Sequence, residues 1–172
     1  MKSSNFPTIY IYAPNIFTGG GKSLLIQVIN HYKNLNFKNV YFILDKRIEK
    51  EINISFENVF FCKKNIISRI KCEFKFMKKA NKQDIFLLFN NVAPIFSSKA
   101  KIIMYLQHIL FSGNFQPKKY SNKYTQQFIY SIYYLINKLF FFKIEKVLVQ
   151  TRSMKENLNK FFPNTKVEIL PF

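Results

Sequence analysis

The sequence predicts an α/β domain built on a doubly wound parallel sheet. Three observations carry that expectation. Unbroken apolar runs of four to six residues recur along the chain. Segments with apolar residues at helical spacing separate them. A strand that is apolar at every position belongs in a parallel sheet whose two faces are both covered by helices. The third observation is negative: 4 glycines and 6 prolines in 172 residues are too few turn formers for an all-β chain.

Residues 8–13 (TIYIYA) are β-branched and aromatic and form the first strand. A loop over 14–21 leads into a helix over 22–35, where Leu24, Leu25, Val28, Ile29 and Tyr32 fall at helical spacing. Residues 40–44 form the second strand, ending in Asp45, and 59–62 the third. The segment 66–82 is helical, with Ile66, Ile67, Ile70, Phe74 and Met77 on one stripe expected to face the core. Residues 85–89 and 101–106 are the fourth and fifth strands, and 124–142 is a long aromatic helix. The sixth strand is 147–150. A helix over 153–161 follows, opened by a capping box, Ser153-x-x-Glu156, and the last strand is 167–170. With no internal repeat and no linker, 1–172 is expected to be one Rossmann-like domain.

The composition narrows the function classes. Hydrophobic residues at 48% and aromatics at 18% supply a core. The 27 basic and 9 acidic residues leave a net charge of +18, and carboxylates this sparse argue against carboxylate-rich metal cages. Such a surface attracts phosphates, anionic lipid and nucleic acid alike. The A/T-rich codons behind Lys, Asn, Ile and Phe account for the skew equally well. Nucleic acid is not the expected partner, because aromatics sit at core-period positions while lysines spread over every helix. Cys62 and Cys72 match no zinc or CxxC spacing, and without a secretory h-region they are expected to be reduced cytoplasmic thiols. Asn137 and Lys138 interrupt the apolar run 128–142, so no spanning segment is predicted. The lysine-flanked aromatic segment 124–146, with Tyr130, Tyr133, Tyr134 and Phe140 to Phe142 beside Lys138, Lys143 and Lys146, suits an interfacial helix on an anionic membrane surface.

Ligands of a doubly wound sheet bind beyond the carboxyl ends of the strands, which singles out loops 14–21, 45–47, 90–97, 107–122 and 150–153. Loop 14–21 reads PNIFTGGG before Lys22 and Ser23, and holds three of the chain's 4 glycines. Glycines that open a helix let a ligand approach the backbone closely and meet its amides, and they permit positive φ. Ile16 stands where a Walker A loop requires Gly or Ala, and Leu24 where a dinucleotide fingerprint does, although Asp45 would suit a ribose. Asn90 and Asn91, Gln107 and His108, and Gln150 and Thr151 follow other strands and offer hydrogen bonds or a titratable imidazole. Capping roles before Pro94 and at the last helix remain open for Asn90, Asn91 and Thr151. His31, inside the first helix, reads as structural.

Taken in order, NIFTGGGK (15–22), LFNNVAP (88–94), MYLQH (104–108), VLVQTRSMK (147–155) and VEILPF (167–172) resemble a known family. It is the N-terminal domain of GT-B fold glycosyltransferases of the retaining, glycogen-synthase-like group (glycosyltransferase group 1 type). The resemblance implies transfer of a sugar from a nucleotide-sugar donor to a glycan or lipid-linked acceptor in cell-surface polysaccharide or lipopolysaccharide synthesis. No cofactor and no metal are implied, in keeping with the lack of an Asp-x-Asp motif. Gly19, Gly20, Gly21 and Lys22 would face the donor diphosphate. Asn90, Asn91, Gln107, Gln150 and Thr151 would lie on the acceptor side, with His108 as the catalytic candidate. Members of that family carry a second, donor-binding Rossmann-like domain that these 172 residues do not include, so activity is expected to require a separate C-terminal half. The expected location is the cytoplasm, at the inner face of the plasma membrane. Two alternatives stay open: a binding or scaffold module without catalysis, and a dinucleotide-binding Rossmann domain.

Overall fold

The computed structural model describes residues 6–35, 37–52, 58–108 and 123–171. All seven expected strands are present: β1 (Ile9–Ala13), β2 (Val40–Asp45), β3 (Val59–Cys62), β4 (Ile85–Leu88), β5 (Lys101–Leu106), β6 (Lys146–Val149) and β7 (Lys166–Ile169). They form a seven-stranded parallel sheet in the order β3-β2-β1-β4-β5-β6-β7, the Rossmann-like α/β architecture that the apolar runs predict. Among the described residues four α-helices accompany them: α1 (Gly19–Asn34), α2 (Ile66–Lys79), α3 (Tyr124–Phe140) and α4 (Arg152–Phe161). The chain divides into two compact units, Met1–Asn90 with Phe96–Lys101, and Asn91–Ile95 with Ile102–Phe172.

In the first unit β1 is paired on both edges, with β2 through Tyr10↔Tyr41 and with β4 through Tyr10↔Phe86. On one face the Tyr10 ring stacks on Tyr41 at 5.2 Å and on Phe86 at 5.6 Å. Phe76 of α2 covers this layer, 4.8 Å from Phe60 and 6.3 Å from Tyr10. Successive side chains alternate across a strand, so Phe42 points to the other face, where Tyr32 of α1 meets it edge-on at 6.2 Å. α1 starts three residues earlier than expected, at Gly19 rather than residue 22, because the extended Thr18 is its N-cap and the glycines form its first turn.

The predicted core stripe of α2 holds only in part. Met77 is buried and Ile70 half-buried as expected, but Ile66 and Ile67 are 65% and 63% exposed and Phe74 is 49% exposed, while Glu73 and Phe76 take the buried positions. Polar contacts set the rotation of this helix: Tyr12 Oη donates to the Arg69 carbonyl at 3.1 Å, and Glu73 Oε1 accepts from the Phe96 amide at 3.0 Å. Pattern counting rejects Glu73 as a core position, yet a buried carboxylate with a fixed donor is stable there.

In the second unit β5 pairs with β6, and β6 with β7. α4 buries Met154 and Leu158. Its N-cap is Thr151, whose Oγ1 accepts from the Met154 amide at 3.3 Å, so the Ser153–Glu156 capping box is not formed. Ser153 lies within the first turn, and the cap falls on the last extended residue before it. α3 ends at Phe140 and tightens into a 3₁₀ turn over Phe141–Lys143. Its buried residue is polar: Asn137 Oδ1 accepts from the Ala93 amide at 2.6 Å, and Nδ2 donates to the Asn91 carbonyl at 3.0 Å. Tyr124, Phe128, Ile132, Leu135, Leu139 and Phe142 are exposed at helical spacing along the same segment. Among the described residues no helix is long and apolar enough to cross a membrane.

The rotation of α2 is testable. Phe76→Ala is expected to cost about 3–5 kcal/mol, as for a buried aromatic, and Ile67→Ala no more than about 0.5 kcal/mol. Urea denaturation of both variants checks this, and the reverse ranking would restore the stripe read from the sequence.

Candidate functional site

Within the first unit the sheet changes its direction of growth at β1. β2 and β3 extend from one edge, and the chain then returns to place β4 on the other. The carboxyl ends of β1 and β4 therefore flank the crevice where doubly wound sheets take ligands. Residues 14–18 leave β1 and enter α1 through Thr18, at φ −145° and ψ 166°, with no side-chain capping bond and no acidic residue in the first turn. The amides of that turn and the positive end of the helix dipole thus lack a carboxylate or hydroxyl cap from Thr18 or the first turn itself. A Cβ built on Gly19 or Gly20 meets nothing within 4 Å, so the space over the turn is open. The glycine freedom is used at one position: Gly19 has φ +67°, while Gly20 and Gly21 continue the helix. Lys22 Nζ lies 2.7 Å from Glu51 Oε2, in a partly exposed ion pair that shares its charge.

Two asparagines at this edge present unused acceptors. Among the described residues, Asn15 Oδ1 and Asn90 Oδ1 are buried atoms without a hydrogen-bond partner, and Asn90 is 4% exposed. A buried acceptor left unpaired costs about 1–3 kcal/mol, which a hydroxyl donor from a ligand would recover. Asn90 was expected here from the sequence. Asn15 lies inside the glycine loop and carries no sequence signal of its own.

The end of β2 is organised around Asp45, which is fully buried. Its Oδ1 accepts from the Arg47 amide at 2.9 Å and from Nε at 2.8 Å. Its Oδ2 accepts from Arg47 at 2.6 Å and from Arg69 at 3.3 Å. Burial pushes the carboxyl pKa up, but the Arg47 hydrogen bonds and the charges of Arg47 and Arg69 together outweigh it and hold the value below the ordinary aspartate range. The Arg47 guanidinium also stacks 3.2 Å over the Phe17 ring, tying the loop after β1 to the end of β2. Arg47 stood in a loop flagged by the sequence. Arg69 depends on the rotation of α2 and had no sequence signal.

In the second unit the polar residues after the strands have other duties. Asn91 Oδ1 accepts from the backbone amides of Gln107 at 2.8 Å and His108 at 3.0 Å, bracing the turn after β5. Burial lowers the His108 pKa, so its half-buried ring is neutral at pH 7, and it lies 6.5 Å from the Tyr130 ring. Gln107 Nε2 is buried and unpartnered among the described residues. Gln150 Nε2 donates to Tyr105 Oη at 2.9 Å, and Thr151 caps α4. Residues 109–122 of the predicted ligand loop lie outside the described residues. Among the described residues no three His, Cys, Asp or Glu side chains converge as a metal site. No protein-family model matches this chain, and no curated protein is significantly similar to it.

The Asp45 cluster has a pH signature. An aspartate with a lowered folded pKa stabilises the fold above its unfolded value of ~3.9, and the contribution is lost as pH falls through the folded value. Asp45→Asn is therefore expected to be less stable than wild type near neutral pH, with the deficit shrinking towards about pH 3. Paired urea titrations at the two pH values check this, and a constant deficit would show that packing, not charge, makes Asp45 matter.

Proposed function

We propose that this chain is the N-terminal portion of a glycosyltransferase, moving a sugar from a nucleotide-sugar donor to a glycan or lipid-linked acceptor. The observation that carries the proposal is the pairing of two kinds of polar group at the β1/β4 edge. The open Gly19–Gly21 turn offers helix N-terminal amides, suited to a diphosphate. The Asn15 and Asn90 side chains offer buried carbonyl oxygens, suited to hydroxyl donors. A ligand with both phosphates and hydroxyls, which a nucleotide-sugar is, satisfies both sets. The ordered motifs from residue 15 to residue 172 favour sugar transfer among the reactions of such ligands.

In this reading the bond from the anomeric carbon to the diphosphate breaks while an acceptor oxygen bonds to that carbon. The charge gathering on the leaving diphosphate is met by the amides of the first turn of α1, fixed before the reaction begins. Lys22 adds a cation whose strength Glu51 moderates. The proton of the acceptor hydroxyl leaves with the departing diphosphate, whose oxygens can take it up. A dinucleotide is the poorer fit. That reading needs a free carboxylate at the end of β2 for the ribose, and Asp45 is committed to Arg47 and Arg69.

Two measurements test the proposal. Calorimetric titration with uridine, guanosine, adenosine and cytidine diphosphates and their sugar conjugates is expected to show binding to one of the series. Gly20→Val should weaken it by at least about tenfold, ~1.4 kcal/mol, with little change in thermal stability because the added side chain meets no neighbour. Unchanged affinity would take the turn out of the site. For a lipid-linked acceptor, the exposed apolar stripe of α3, in a chain of net charge +18, is the membrane contact. Cosedimentation should be stronger with anionic than with neutral vesicles, and Phe128→Ser with Leu135→Ser should reduce it. Equal recovery on both lipids would end that part of the proposal.

A further inference from the structure

The exposed face of α2 carries an apolar feature that the sugar-transfer reading does not use. Ile67, Ile70 and Phe74 follow one another at helical spacing, with Ile67 and Phe74 exposed and Ile70 half-buried. Towards the end of the helix this stripe opens into a surface pocket of about 450 Å³. Phe74, Met77 and Phe96 supply its apolar lining, and Lys78 and Lys99 its cations. α2 runs from the end of β3 to the start of β4, and residues 96–99 lead into β5. The pocket therefore lies towards the amino ends of the strands, away from the Gly19–Gly21 turn.

Hydrogen bonds fix the walls of the pocket before anything enters it. Glu73 Oε1 accepts from the Phe96 amide at 3.0 Å. Ser98 Oγ donates to the Met77 carbonyl at 3.1 Å and accepts from the Ala100 amide at 3.1 Å. These bonds tie the segment before β5 to α2. The Phe74 and Phe96 rings meet edge-on with centroids 5.1 Å apart, and Lys78 Nζ lies 5.7 Å from the Phe74 centroid. Charge on this face has one sign. Lys71, Lys75 and Lys78 are exposed, each next in sequence to an apolar residue of the stripe or pocket. Glu73 is the one carboxylate of α2, and it is buried against the Phe96 amide. The pocket lining holds no carboxylate among the described residues.

We propose that this face docks an acidic amphipathic helix of a partner protein, with one large apolar side chain of that helix seated between Phe74, Met77 and Phe96. The surface shares no residue with the Gly19–Gly21 turn or with Asn15 and Asn90, and stands independently of the sugar-transfer reading. From Ile67 to Met77 the stripe runs about 15 Å, at 1.5 Å per residue, a length that a partner helix of two to three turns covers. Concavity favours a protein anchor over a lipid surface, which would leave the pocket unfilled. The lysine flank selects carboxylates around that anchor. A second copy of this chain would set the same lysines against each other, which disfavours self-association through this face.

The test uses the full chain and a fluorescein-labelled peptide of about 14 residues, some four helical turns, with Leu and Phe on one face and Glu over the rest. Fluorescence anisotropy should show saturable binding of one peptide per chain, weakening as salt rises. A scrambled peptide of the same composition, and one with Lys in place of Glu, should bind at least about tenfold more weakly. Phe74→Ser and Ile67→Ser should each weaken the acidic peptide about tenfold, and Lys71→Glu with Lys78→Glu about as much. These side chains are exposed, so the melting temperature should hold. If Phe74→Ser lowers it, Ile67→Ser and the lysine pair decide. Phe128→Ser with Leu135→Ser, on α3, should leave peptide binding unchanged. Equal binding of the scrambled peptide, or indifference to both Ile67→Ser and the lysine pair, would overturn the proposal. So would a face whose loss weakens binding to phosphatidylglycerol vesicles and not to the peptide, which is a lipid contact. A dimer in sedimentation velocity that Phe74→Ser abolishes would overturn it in favour of self-association.

Discussion

Strand β1 is hydrogen-bonded along both edges and buried on both faces, and the arrangement of the first unit depends on that double constraint. A backbone paired on two sides cannot be an edge, so the sheet must grow outward from it in both directions. Growth in two directions leaves a crevice where the flanking loops part, at the carboxyl ends of β1 and β4. The run TIYIYA is what makes this possible, since no residue after Thr8 tolerates a solvated face. Tyr10 shows the packing consequence. Its ring is sandwiched between Tyr41 and Phe86, one from each neighbouring strand, so register and side-chain stacking reinforce one another.

The polar residues at the strand ends divide into those that hold the fold and those left for something else. Asp84 is of the first kind: its two oxygens accept from the amides of Thr8 and Asn81 and fasten the entry to β4. Asn91 does the same for the turn after β5, and Asn137 for the segment 91–93. Asp45 looks like a ligand-binding carboxylate in the sequence, but its acceptor positions are filled by two arginines. Asn15 and Asn90 remain with buried carbonyl oxygens and no donor among the described residues. Native interiors seldom leave such groups alone, which is why these two, and Gln107 Nε2 in the second unit, weigh more than the other polar strand ends.

The large positive charge is spread over the structure. Lysines of α2 lie over rings that the helix covers or borders: Lys79 over Tyr41 at 4.4 Å, Lys78 over Phe74 at 5.7 Å, and Lys75 over Phe60. Their stems cover aromatic surface while the ammonium groups stay near water. A dispersed field of this kind attracts anions generally, and selection among them falls to local geometry. In the first turn of α1, Thr18 makes no side-chain cap bond and no acidic residue is present, so its backbone amides are not met by a carboxylate from that turn.

By itself the sequence determined the class of fold, the seven strands and the glycine run that opens α1. These follow from local properties: apolar runs need cover on both faces, and three consecutive glycines open a helix to close approach. Only the tertiary structure decided which face of α2 is inside. Its apolar spacing admitted a stripe through Ile67 and Phe74, but contacts from β1 and from the segment after β4 turn Arg69, Glu73 and Phe76 inward. The same holds for Asp45, whose partners Arg47 and Arg69 are 2 and 24 residues away in the chain. Periodicity records which residues avoid water. Which buried polar groups meet depends on how the elements rotate against each other, and that is settled by hydrogen bonds between segments distant in sequence.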